Sequence, residues 1–221
     1  MAHFDAVLFD LDGTLINTND VVIASFQHAM RTLLGREMAP EDAYPHFGEP
    51  LTRVFAHYAP ERVDELVDAY RAFNLRHHDQ MLRRFPGMEE AVAALRQAGV
   101  RLGVVTSKYT PLAWRGLELC GLKQHFAVLV GVDQTERHKP DPEPALRALE
   151  LLGVAPGPRV LMVGDAPLDV QCGRAAGCRT AAVGWTVNRD TLSAAGPDFW
   201  VERPADLVLL VLSGAAPTGP G

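Results

Sequence analysis

The sequence predicts an α/β fold: a parallel sheet with helices on both faces, and a helical segment inserted near its start. Three short aliphatic runs are typical of buried strands: AVLF before Asp10, VRLGVV before Thr106 and RVLMV before Gly164. Each run is followed by turn residues and then by a helical pattern, an alternation that favours parallel strands joined by helices. Between Leu15 and Arg84 the strand signal gives way to amphipathic helices.

Helix ends support this alternation, because several glycines stand where a left-handed cap residue would end a helix before the next segment begins. These glycines are Gly99, Gly121, Gly153 and Gly177. The prediction is therefore that a helix ends at each of them.

The inserted segment shows two apolar stripes at the three- and four-residue spacing of a helix. The stripes are Val22, Phe26, Met30, Leu33 and Val63, Leu66, Tyr70, Phe73. Prolines at 40, 45, 50 and 60 divide it into short helices. We expect a core formed by 1–15 and 85–214, a helical cap formed by 16–84, and a flexible tail at 215–221.

Composition excludes several classes of protein. With 221 residues, 48% apolar and 22% charged, the chain is typical of a globular protein. A net charge of −6 with no basic run gives no surface for nucleic acid or an anionic membrane. No stretch reaches the ~20 apolar residues of a membrane span, so we expect a cytoplasmic protein. The three cysteines lack metal-ligand spacing, which favours buried thiols over disulfides or zinc.

Two carboxylates follow the first strand in FDLDGTL. In an extended chain Asp10 and Asp12 point to the same side, and two anions in one small space require a cation or a retained proton. One could then act as a nucleophile and the other as an acid, while Gly13 lets the backbone approach a ligand. The alternative is a strand that simply runs into an Asp and Gly turn.

Further along the chain, hydrogen-bond donors and a lysine again stand after a predicted strand or in an adjoining loop. The Thr106 hydroxyl and the Ser107 amide could donate to a phosphoryl group, and the prolines of HKPDPEP could fix Lys139 against an anionic site. A strand-end hydroxyl and a solvated loop lysine are the alternatives.

Asp165 and Asp169 lie in VGDAPLDV, directly after a strand and at the start of a helix. Carboxylates in this position suit a hard cation such as Mg²⁺, which prefers oxygen ligands. The alternative is a helix-capping carboxylate with a solvated neighbour. All of these groups follow core strands or adjoining loops, where open parallel sheets bind ligands.

Taken together, FDLDGTL, VVTSK, HKPDP and VGDAPLD resemble the four motifs of the haloacid dehalogenase superfamily, in order and over nearly the whole chain. The resemblance implies a Rossmann-like core with a helical cap inserted after the first motif. It also implies that Asp10 is the nucleophile and Asp12 the general acid and base. It also implies that Asp10, the Asp12 carbonyl and Asp165 ligate Mg²⁺, with Asp169 supporting the metal or the lysine. Thr106 and Lys139 would bind the transferring phosphoryl group.

A narrower similarity, in segments such as YRAFNLRHHD, VGWT and the GEPL loop, is to bacterial pyrophosphatases of the phosphoglycolate phosphatase-like group. It implies a small anionic phosphate substrate, with inorganic pyrophosphate preferred over phosphoglycolate. Gly48, Arg71 and Asn74 are the candidate substrate-binding residues of the cap. Arg71, Asn74 and His78 are three and four residues apart and share one helix face, which could equally be solvated. A phosphomutase or a non-catalytic phospho-ligand sensor are the other interpretations, and the chain is expected to be a monomer or a homodimer.

Overall fold

A computed structural model describes residues 2–215. Within them the strands, numbered β1 to β8, are Ala6–Phe9, Ile16–Asn17, Arg83–Arg84, Arg101–Val105, Val128–Val130, Val160–Gly164, Arg179–Val183 and Phe199–Val201. The α-helices, numbered α1 to α10, are Asn19–Leu34, Pro40–Ala43, Leu51–Tyr58, Val63–Met81, Met88–Gln97, Thr110–Leu119, Glu143–Leu152, Pro167–Ala175, Arg189–Ala194 and Pro204–Ser213. Apart from Ala215, the predicted tail lies outside the described residues.

Six strands form one sheet in the order β5-β4-β1-β6-β7-β8. All neighbouring pairs run parallel, and β1 lies between β4 and β6. After β1 the chain adds β4 and β5 on one side of it, and then β6, β7 and β8 on the other side. The strand order therefore reverses next to β1, and open parallel sheets bind ligands at the carboxyl ends of the strands at such a reversal. The predicted α/β class with a parallel sheet is therefore confirmed.

The strands of this sheet are buried because helices cover it. All four residues of β1 and all five of β6 are buried, as expected for central parallel strands. One hydrophobic cluster joins residues of β1, β4, β5 and β6 with residues of α7 and α8. The four glycines expected to end helices all have a left-handed backbone, with φ between 66° and 81°, which confirms those helix ends.

The described residues divide into two compact units, 2–16 with 84–215 and 17–83. The second unit is helical and contains α1 to α4. Its core is an aromatic cluster in which the Phe26 ring lies 4.8 Å from Tyr70 and 5.6 Å from Phe55. The apolar stripes predicted for this segment supply Phe26, Met30, Leu66 and Tyr70 to that core. The inserted helical segment of the predicted fold class is thus present.

Cys120, Cys172 and Cys178 are free and buried, as expected for structural thiols. In the part of the chain that the structure describes, no helix combines the length and apolarity needed to cross a bilayer.

Candidate active site

The register of the three central strands brings the predicted residues to one edge of the sheet. Phe9 of β1 pairs with Val104 of β4 and with Val163 of β6. The residues that follow, Asp10 and those at the ends of β4 and β6, are therefore neighbours. The Asp10 amide donates to the Val163 carbonyl at 2.9 Å, which continues the hydrogen-bond pattern of the sheet to Asp10.

Lys139 lies at the centre of this edge. Its ammonium donates to Asp10 Oδ1 and to Asp169 Oδ1, each at 2.6 Å, and to the Val105 carbonyl at 3.3 Å. The Lys139, Asp10 and Asp169 side chains are all buried. All three protons of the ammonium thus have partners, which makes the lysine a fixed part of the site and not a solvated loop residue.

Asp169 holds this lysine and also caps a helix. Its Oδ2 accepts a hydrogen bond from the Ala166 amide at 3.1 Å, at the start of α8, while its Oδ1 pairs with Lys139. Asp169 is therefore a helix-capping carboxylate that is also bound to Lys139, and its burial excludes a solvated position. Its support of a metal ion stays a prediction.

A carboxylate oxygen from each of Asp10, Asp165 and Asp169 lies within 4.8 Å of the others. Burial raises the pKa of Asp10 to about 7, although the charge of Lys139 opposes this shift. Burial, together with the charges of Asp10 and Asp169, also raises the pKa of Asp165 well above its usual value. One lysine cannot balance the negative charge of three buried carboxylates. The cluster therefore has the oxygen ligands and the excess of negative charge that suit a divalent cation.

The lysine itself is firmly charged. Burial alone would lower the pKa of Lys139, but the charges of Asp10 and Asp169 outweigh burial and raise that pKa.

The turn after β1 orients Asp165. The Thr14 hydroxyl donates to Asp165 Oδ1 at 3.3 Å, and the Thr186 hydroxyl donates to the Asp165 carbonyl at 2.9 Å. Neither threonine was predicted from the sequence. Thr14 follows the two aspartates in FDLDGTL, and its position beside them was the available signal.

Asp12 is paired with a lysine that the sequence analysis did not single out. Lys108 Nζ lies 2.8 Å from Asp12 Oδ1, so the two carboxylates after β1 are bound to different lysines. Lys108 belongs to the VVTSK segment, two residues after Thr106.

Thr106 and Ser107 occupy the loop after β4. Thr106 is buried, its amide donates to the Val130 carbonyl at 3.0 Å, and its Oγ1 accepts a hydrogen bond from the Lys108 amide at 3.1 Å. The proton of the hydroxyl remains available for another acceptor. Ser107 is exposed.

The candidate residues of the helical unit differ in their surroundings. Asn74 and His78 are buried, and the Asn74 amide donates to Ser25 Oγ at 3.3 Å. Arg71 is exposed. Gly48, which follows a short 3₁₀ turn, has a positive φ of 80°. A fully solvated helix face is therefore excluded for Asn74 and His78, and substrate binding by Gly48, Arg71 and Asn74 stays a prediction.

Comparison with known proteins gives consistent matches over most of the chain. The family model described as haloacid dehalogenase-like hydrolase matches residues 7–183. Pyrophosphatase PpaX of Anoxybacillus flavithermus is 40% identical over 95% of this chain and 97% of its own, and Pyrophosphatase PpaX of Bacillus cereus strain AH820 is 42% identical over 92% and 94%.

Solved structures agree on the fold. A haloacid dehalogenase-like hydrolase from Streptococcus pneumoniae has a TM-score of 0.85 at 22% identity, covering 93% of this chain and 97% of its own. A Lactobacillus plantarum structure, provisionally assigned as a phosphoglycolate phosphatase, has a TM-score of 0.84 at 27% identity, covering 94% and 99%. On the family match and the identity to these relatives, the chain belongs to the haloacid dehalogenase-like hydrolase family.

Proposed function

We propose that this protein is a Mg²⁺-dependent phosphatase that transfers a phosphoryl group through a covalent aspartyl-phosphate on Asp10, with inorganic pyrophosphate as its main substrate. The observation that carries the proposal is the convergence of the Asp10, Asp165 and Asp169 carboxylates within 4.8 Å, with Lys139 bound to two of them. Phosphoryl transfer requires mainly positioning and neutralisation of charge, which such a cluster supplies.

The residues fit a magnesium ion. Three buried carboxylates and one lysine leave an excess of negative charge, and oxygen is the ligand atom that Mg²⁺ prefers. Asp10 and Asp165 would hold the ion together with the Asp12 carbonyl, while both oxygens of Asp169 already have partners. A bound Mg²⁺ would neutralise charge on the phosphoryl oxygens.

The remaining chemistry belongs to the side chains of the chain. A carboxylate oxygen of Asp10 attacks phosphorus in line with the leaving oxygen, the bond from phosphorus to that oxygen breaks, and Asp12 gives the leaving oxygen a proton. Asp12 then takes a proton from the water that attacks the aspartyl-phosphate, which releases phosphate and restores both carboxyl groups. The Thr106 hydroxyl would bind the transferring phosphoryl group, and Lys139, whose three protons already have partners, would stabilise that group through its charge.

The choice of pyrophosphate is supported by the two relatives named pyrophosphatase, which are 40% and 42% identical over more than nine tenths of the chain. Phosphoglycolate is the second candidate, supported by the Lactobacillus plantarum structure at 27% identity. In this proposal Gly48, Arg71 and Asn74 contribute to substrate choice. Alanine at 71 or 74 should then change the ratio of activity on the two substrates.

The test is a phosphate-release panel of pyrophosphate, phosphoglycolate and several sugar phosphates, with and without Mg²⁺. We expect Mg²⁺-dependent release with the highest kcat/KM on pyrophosphate. Highest activity on phosphoglycolate would show that the proposed substrate is wrong, while the proposed mechanism would still hold. Conversion of a sugar phosphate to its isomer would indicate a phosphomutase, and no turnover of any compound would favour a ligand sensor.

A further inference from the structure

Lys108 is a second lysine at the catalytic edge, and it is enclosed. Its side chain is 10% exposed, and its ammonium lies 2.8 Å from Asp12 Oδ1, whose own side chain is 30% exposed. A lysine on a free surface keeps its ammonium in water, whereas this one extends toward a carboxylate of the site.

The backbone of Lys108 is fixed on both sides. Its amide donates to Thr106 Oγ1 at 3.1 Å, and its carbonyl accepts a hydrogen bond from the Val132 amide at 3.1 Å. Two residues on, the amide and the hydroxyl of Thr110 both donate to Asp133 Oδ1 at 2.8 Å. The segment after β5 therefore holds the loop that carries Lys108, and the position of the lysine is set before any substrate binds.

The two lysines of the site differ in their free capacity to bind an anion. Lys139 uses all three ammonium protons on Asp10, Asp169 and the Val105 carbonyl. Among the described residues, Lys108 hydrogen-bonds through its ammonium to Asp12. Since an ammonium has three donors, two remain for a further acceptor next to Asp12.

We propose that Lys108 is a specificity-determining residue that binds the anionic leaving group of the substrate. The inference rests on the proposed function, in which Asp12 protonates the leaving oxygen, so that a cation bound to Asp12 stands beside the departing group. The leaving group of pyrophosphate is phosphate, and that of phosphoglycolate carries a carboxylate. Each would accept a charge-assisted hydrogen bond from Lys108, which a neutral leaving group cannot do to the same extent.

A role limited to holding Asp12 in place predicts a different result. Loss of such a positioning residue would slow every substrate alike, because Asp12 serves them all. Loss of a leaving-group contact would slow only substrates whose leaving group is charged. The ratio of kcat/KM between the two kinds of substrate therefore separates the roles.

The test compares kcat/KM for pyrophosphate and for phenyl phosphate, whose phenyl group adds no anion, in the wild type, Lys108→Met and Lys108→Arg. Lys108→Met loses the contact with Asp12 for both substrates, so the leaving-group contact is measured by the difference between them. We expect kcat/KM on pyrophosphate to fall about 10- to 100-fold more than kcat/KM on phenyl phosphate, the range for a hydrogen bond to a charged group. Lys108→Arg keeps the charge and should recover most of the activity on pyrophosphate. Should Lys108→Met fail to fold, Lys108→Gln carries the same comparison.

An equal loss on both substrates in the neutral variant would overturn the inference and leave Lys108 as a positioning residue for Asp12. Unchanged activity on pyrophosphate would overturn it as well. The proposed function fails separately, if the wild type releases phosphate from neither compound in the presence of Mg²⁺.

Discussion

At the scale of single residues, the position of Asp165 depends on the absence of a side chain at Gly13. Gly13 has a φ of 84°, in the left-handed region, and a Cβ there would lie 2.3 Å from Asp165 Oδ2. The next residue, Thr14, donates to the other oxygen of the same carboxylate. The turn after β1 thus both makes room for Asp165 and orients it.

Gly13→Ala should displace Asp165 and lower Mg²⁺-dependent phosphate release by about 10²-fold, because small displacements of positioned groups have effects of that size. The measurement is a Mg²⁺ titration of pyrophosphate hydrolysis. Gly99→Ala is the matched control, since Gly99 has a φ of 81° but no atom within 4 Å of the added Cβ. It should cost about 1–3 kcal/mol of stability through backbone strain and leave the rate unchanged. Equal rates for the two variants would contradict this account of Gly13.

The sequence motifs predicted which residues lie in the site, but they predicted less well which of those residues contact one another. Asp10, Lys139, Asp165 and Asp169 were all expected from their places after strands, and the structure brings them together. The pairing of Asp12 with Lys108 was not expected, because a lysine three residues beyond a strand end gives no periodic signal that distinguishes it from a solvated one.

At the scale of elements, the helical unit depends on its aromatic core. Phe55 is completely buried and its ring lies 5.6 Å from Phe26 and 6.2 Å from Tyr70. Pairs of this kind add to the free energy gained from burial. Leu75, on α4 of the same unit, is 59% exposed and contributes little apolar burial.

Phe55→Ala should destabilise this unit by about 3–5 kcal/mol through the lost burial and the cavity that remains. Leu75→Ala should change stability by less than about 0.5 kcal/mol. Hydrogen exchange of residues 17–83, measured together with urea unfolding, checks both values. A similar cost for the two variants would show that the aromatic cluster is not the core of the unit.

Elements were predictable from the sequence where their signal was strong. The three aliphatic runs before Asp10, Thr106 and Gly164 correspond to β1, β4 and β6, which lie side by side at the centre of the sheet. The outer strands were not singled out. β5 and β8 have three residues each and β7 reads RTAAV, in which two alanines weaken the strand propensity.

At the scale of the whole molecule, the site links stability to pH and to metal. The pKa of Asp10 is raised to about 7 and that of Asp165 is also raised. Between the ordinary carboxyl pKa of about 4 and pH 7, the folded metal-free protein therefore retains protons that the unfolded chain has released. The contribution of these groups to stability is present at low pH and is lost as pH rises through that window.

A divalent cation would replace those protons, so Mg²⁺ should raise the Tm more at pH 8 than at pH 5. The measurement is thermal unfolding at both pH values, with and without Mg²⁺. The gain in Tm is compared at each pH, so that the effects of pH on groups outside the site cancel. Asp165→Asn, which removes one charge of the cluster, should reduce the gain at pH 8. A gain in Tm that is equal at both pH values, or larger at pH 5, would argue against binding of Mg²⁺ by these carboxylates.

The central claim, that Asp10 is the covalent nucleophile, is tested most directly by the rate of pyrophosphate hydrolysis of Asp10→Asn at saturating Mg²⁺. We expect a loss on the order of 10⁴-fold or more, in the range found when a covalent nucleophile is removed, with the variant still folded by circular dichroism. A folded Asp10→Asn variant that retains a substantial part of the wild-type rate would contradict it.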